Sequence, residues 1–134
     1  MADMTIAGLA RAGAVGVETV RYYQRRGLLP EPPRPQGPGL GGGVRRYGED
    51  EIRRLRFIRS AQRAGFTLEE IGELLALDAT DERRRAREMA RSRIAALDAK
   101  IAELAAARDA LSRLADECSF GDAGRCPIVG AFEA

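Results

Sequence analysis

The chain has 134 residues, 31% charged and 45% apolar, with a net charge of +2, which bounds it to one small domain, or a small domain plus an oligomerisation element. It has no histidine and two cysteines, so a Ser-His-Asp triad, a Cys-His pair, an HExxH zinc helix and a zinc finger are excluded, and two thiols do not close a four-ligand zinc site. No nucleophile–base pair is left, so the chain is not expected to be an enzyme.

The charge is uneven along the sequence. Residues 1–76 hold twelve Arg against nine acids, whereas the remainder holds ten basic residues against eleven acids. A basic N-terminal half suits a polyanionic partner. Arg supplies every cation except Lys100. No run of about 18 apolar residues is present, so no membrane partner is expected. The start "MADMTIAGLA" lacks the charged and long apolar regions of a signal peptide, which predicts a cytoplasmic protein. In that compartment thiols stay reduced, and a structural disulfide is not the expected use of the two cysteines.

"TIAGLARAGAVGVETVRYYQRRGLL" predicts two short helices around a tight turn. Ile6, Leu9 and Ala10 space the apolar face of the first, "GAVG" breaks it, and Val17 to Arg26 forms the second, with Gly27 as its stop. Such a pair is the sequence form of a helix-turn-helix, and also of any helical hairpin in a small bundle. "PEPPRPQGPGLGGGVRRYG" follows. It lacks the GK[ST] of a phosphate loop and reads as an exposed, hairpin-like loop, with "VRRY" as the returning strand. In "GEDEIRRLRFIRSAQRAGF", Ile52, Leu55, Ile58 and Ala61 make a buried stripe, and the arginines between them form a solvated face. Thr67 and Glu70 of "TLEE" form a capping box that opens a helix through Leu77.

From about Asp81 one long helix runs to Cys118. Ile94, Leu97, Ile101 and Leu104 alternate by three and four, and Leu111 and Leu114 resume the stripe. Burying six such side chains is worth about 10 kcal/mol at about 1.5–3 each, so the seam calls for a partner. A second copy, giving a two-fold homodimer, is the simplest. Cys118 lies where this stripe meets the helix end, and "CSFGDAGRCPIVG" brings Cys126 eight positions later. Two thiolates on a short loop suit a soft ion.

The stretches "VETVRYYQRRGLL", "VRRYGEDEIRRLRFI", "SAQRAGFTLEEIGELL", the long helix and the terminal "C…CP" loop together resemble the MerR family of transcription regulators over nearly the whole chain. The resemblance implies a mainly α fold: a winged helix-turn-helix over residues 1–77, an antiparallel coiled-coil dimerisation helix over 78–117, and a metal-binding loop and tail over 118–134. It implies a homodimer on double-stranded promoter DNA, where metal binding makes the protein distort the DNA so that RNA polymerase can use it. Thr19, Arg21 and Tyr22 would then lie on the major-groove helix, with Arg45, Arg46 and Tyr47 on the wing against the DNA backbone.

Cys118 and Cys126 would be the metal ligands. "RFIRSAQRAGFTLEEI" most resembles the mercury-responsive branch. The C-x7-C-P spacing instead matches the copper, silver and gold sensors. Mercury sensors have one more loop residue and a third cysteine, at the position that Arg83 holds here. Two thiolates around Cu(I), Ag(I) or Au(I) leave a charge of −1 that a nearby Arg could offset, and this favours a monovalent ion. Hg(II) is the alternative, and a thiol redox switch a further one. "GPGLGGG" in the wing departs from the family.

Overall fold

The computed structural model describes residues 4–35, 44–119, 121 and 124–133, and its elements are all helical. It divides into two compact units, Met1–Ala90 and Arg91–Ala134. Among the described residues no helix is long and apolar enough to cross a membrane.

Four helices build the first unit. Helix α1 spans Ile6–Ala12, and the hydroxyl of its N-cap, Thr5, accepts the Gly8 amide at 3.2 Å. Gly13 ends it against α3, where a side chain would run into Leu55. Helix α2 spans Val17–Arg25, and Gly27, at a φ of +74°, turns the chain out of it. Helix α3 spans Glu49–Arg63. Three acids in its first turn face the positive end of the helix dipole, and the Glu51 carboxylate accepts the Gly48 amide at 2.9 Å. Helix α4 spans Leu68–Asp78 and opens with the expected capping box: Thr67 N–H donates to Glu70 at 2.9 Å, and Glu70 N–H to Thr67 at 3.1 Å.

Helix α1 packs on both α2 and α3, and α4 packs on α3. The apolar faces meet in one core that includes Leu9, Val20, Tyr23, Leu55, Ile58 and Ile71, each at most 2% exposed. Leu28 and Leu29, just past α2, close the core from the loop side. The predicted stripe of α3 is the buried one, while Arg53, Arg54 and Arg56 stand exposed as expected.

The expected strand at "VRRY" is not formed. Among the described residues its pairing is a single antiparallel bridge, Tyr47 to Met4, with amide–carbonyl distances of 2.7 and 3.1 Å. Residues 36–43, which hold all of "GPGLGGG", lie outside the described residues.

Helix α5 spans Arg83–Cys118, 36 residues or about 54 Å at 1.5 Å per residue. Its first turns belong to the first unit: Arg85 donates to Glu73 of α4 at 2.7 Å, and Met89 is 5% exposed. Beyond them, Ile94, Leu97, Ile101, Leu104 and Leu111 of the predicted seam are exposed, at 38 to 63%. Lys100 lies among them, paired with Glu103 at 3.6 Å. A final helix, α6, spans Pro127–Phe132, where only a loop and tail were expected. Proline at its first position fits, because its missing N–H would have had no helical partner.

Candidate DNA-binding surface and thiol pair

Helix α2 carries the predicted residues Thr19, Arg21 and Tyr22. Thr19 is half-buried, whereas Arg21 is exposed and donates to Glu18 one turn earlier at 3.0 Å. Tyr22 is 40% exposed. On the residue 44–47 limb, Arg45 pairs with Glu31 at 3.0 Å, and Arg46 is exposed.

Tyr47 departs from expectation. Its ring is 2% exposed and belongs to the core, and its hydroxyl accepts from Gln24 Nε2 at 3.0 Å. A ring that size gains more from burial than from lying along a wing. Tyr47 therefore joins the limb to α2 rather than standing out from it.

Between α2 and the limb lies an open groove of about 570 Å³, lined by Arg21, Gln24, Arg25, Arg34, Arg45 and Tyr47, with Glu31 at its edge. Four guanidiniums against one carboxylate make a positive concavity suited to phosphate. Sequence reading named only two of these arginines. Arg25 was open to discovery, because it lies four residues after Arg21 and so shares its face. Arg34 sits in the Pro-rich loop, where no periodicity places a side chain.

The second unit holds both cysteines, and they are free thiols. Cys118 is the last residue of α5, and Cys126 caps α6. Gly124 takes a φ of +103° between the helices, and the two thiols lie near enough for each to shift the titration of the other. Their environments differ. The Val129 and Ile128 amides point at the Cys126 sulfur without closing a capping hydrogen bond, and they hold that thiol below its ordinary pKa. Burial and the neighbouring Cys126 push the Cys118 thiol up. Arg125 and Glu133 pair across α6 beside them.

This donor set fits a soft ion taken by two thiolates. No cluster of three or more His, Cys, Asp or Glu side chains occurs among the described residues. Arg83 is exposed at the start of α5, on the rim of a cleft of about 840 Å³ formed with α3 and α4.

A helix-turn-helix with a basic groove beside its second helix defines a DNA-binding regulator, and comparison with known proteins agrees. The family described as "MerR HTH family regulatory protein" matches residues 4–78, and "MerR, DNA binding" matches residues 52–114. The mercuric resistance operon regulatory protein of Serratia marcescens is 40% identical over 132 residues, covering 98% of this chain and 88% of its own length. ZntR, an HTH-type transcriptional regulator of Escherichia coli K12, is 35% identical over 133 residues, covering 96% and 91%. Among solved structures, the transcription regulator PbrR691 from Ralstonia metallidurans CH34, crystallised with lead(II), matches with a TM-score of 0.65 at 33% identity, over 96% of this chain and 98% of that one. The chain belongs to the MerR family of transcription regulators, which are not enzymes.

Proposed function

We propose that this chain is a metal-responsive regulator that binds promoter DNA as a homodimer and responds to a soft thiophilic ion at Cys118 and Cys126. The observation that carries this reading is the thiol pair, set where the long helix ends, in a chain whose other end is a helix-turn-helix. Relatives named for mercuric resistance, and a neighbour crystallised with lead(II), support a metal effector.

Helix α2 would enter the major groove with Thr19, Arg21 and Tyr22, while Arg45 and Arg46 meet the backbone alongside. Tyr47 would serve indirectly, by fixing the limb to Gln24. The exposed stripe of α5 is the surface for a second copy. Cys118 and Cys126 would hold the ion, and the Ile128 and Val129 amides would offset thiolate charge. When bound, the ion supplies a link between the end of α5 and the start of α6. RNA polymerase would be the partner that reads the change in promoter shape, in the cytoplasm.

A monovalent ion of copper, silver or gold fits best. Two thiolates suffice for it, and Arg83, which lies at the other end of α5 from Cys118, would bring its cation to the pair only from a second copy. Hg(II) is the second reading, favoured by the 40% identity to a mercuric resistance regulator. In vitro transcription with thiol-buffered Cu(I), Ag(I) and Hg(II) tests both readings. Activation by the monovalent ions, lost in Cys118→Ser and Cys126→Ser while promoter binding persists, is the expected result. Activation by Hg(II) alone would reject the monovalent assignment, and activation by an oxidant alone would reject a metal effector.

A further inference from the structure

The end of α2 carries a feature that a helix-turn-helix does not require. Tyr22 lies three and four residues before Arg25 and Arg26, so the three side chains rise from one flank of the helix. Both guanidinium carbons stand 5.9 Å from the centre of the Tyr22 ring, within reach of a cation–π contact. The ring itself is held in place. It lies tilted against Tyr23, centroids 6.2 Å apart, and the buried Tyr23 donates its hydroxyl hydrogen to Gln62 of α3 at 2.5 Å.

The charge on this flank is left open. Glu18 is the only acid of α2, and it is paired with Arg21. Among the described residues no ion pair involves Arg25 or Arg26, although Arg25 also lines the basic groove. The negative end of the helix dipole tolerates cations here, but it does not account for one aromatic ring collecting two of them. Two like charges gathered on a fixed ring, beside a groove that is already positive, call for neighbouring anions. A phosphodiester backbone offers those at regular spacing.

We propose that Tyr22 is a positioning residue whose ring, rather than its hydroxyl, holds Arg25 and Arg26 as a pair of contacts to the DNA backbone. The inference rests on the promoter-binding reading above. Its test is the fluorescence anisotropy of a labelled duplex from the promoter beside the protein's own gene, titrated across a salt series.

Arg25→Gln with Arg26→Gln should flatten the slope of log K against log salt by about 1.8, at about 0.9 per phosphate contact. Tyr22→Leu should weaken binding about tenfold, as expected for loosening two exposed cation–π contacts, and move the slope toward that of the double variant. Tyr22→Phe and Tyr22→Trp keep the ring and should keep the parent's salt slope, with a smaller loss of affinity than Tyr22→Leu. In the Arg25→Gln/Arg26→Gln background, Tyr22→Leu should add no further loss, because the partners it positions are gone.

Loss in Tyr22→Phe equal to that in Tyr22→Leu would overturn the proposal, since the hydroxyl would then be the contact. Weaker binding by Tyr22→Leu at an unchanged salt slope would overturn it too, because a merely structural ring leaves the number of phosphate contacts alone. The Phe variant decides by itself if the Leu variant unfolds. A parent protein that ignores the promoter duplex overturns the promoter reading and this inference together. A parent that binds while Tyr22→Leu is silent overturns this inference alone.

Discussion

The first unit closes its apolar surface on itself, and the second does not. Leu9, Leu55, Ile58 and Ile71 are fully buried among four helices, whereas Ile94, Ile101 and Leu104 lie more than half exposed along α5. The two regions use the same residue types at helical spacing. What separates them is connectivity. Short turns at Gly13 and Gly65 fold successive helices back on one another, while α5 runs on for 36 residues without a break. Turns thus decide which apolar stripe finds its partner within the chain and which must find it outside.

The largest effect should come from breaking the open stripe. Leu97→Asp with Leu104→Asp should give monomers by sedimentation and abolish promoter binding, while the first unit's helices remain folded by circular dichroism. Dimers surviving the double change would place the interface elsewhere. A closed-core change should act the other way. Leu55→Ala removes a fully buried side chain and should cost about 2–5 kcal/mol in chemical unfolding, whatever the protein concentration. A cost that shrank at high protein concentration would mean that the first unit also leans on the dimer. Smaller again, Thr67→Ala removes half of the α4 capping box and should cost about 1 kcal/mol in the same assay.

The smallest contrast lies inside the second unit. Cys126 is held below its ordinary pKa by the Val129 and Ile128 amides, and Cys118 is raised by burial and by Cys126. As pH rises, Cys126 therefore reaches the thiolate first and should be alkylated by iodoacetamide ahead of Cys118. Peptide mapping across a pH series reads this directly. Equal rates at every pH would show that the amides do not govern the pair.

Much of the first unit was legible, because its signals are local and chemical. Thr67 and Glu70 named their own helix start, and Gly27 and Gly65 named stops that the structure places at positive φ. The four α3 stripe residues were read from spacing alone, and three are fully buried while Ile52 is partly so. Burial of the Tyr47 ring is not legible in the sequence, because its two ends have opposite preferences and sequence does not say which end the neighbouring Gln24 will take. Helix α6 escaped notice because six residues make under two turns, too few to show a period. The two cysteines are legible as a pair, because they are the chain's two thiols and stand eight positions apart at the end of the long helix. Their opposite pKa shifts are not, since they depend on where the α6 amides point.

With one lysine among 22 basic residues, the protein has a single side chain open to amine chemistry, and that side chain stands amid the unpaired stripe of α5. Acylation there would erase one charge within the stripe and leave every guanidinium of the basic groove untouched. The same position gives a chemical reporter its natural seat: a dye joined to Lys100 would sense the approach of another chain at the middle of the long helix, far in sequence from the basic groove and from the thiols.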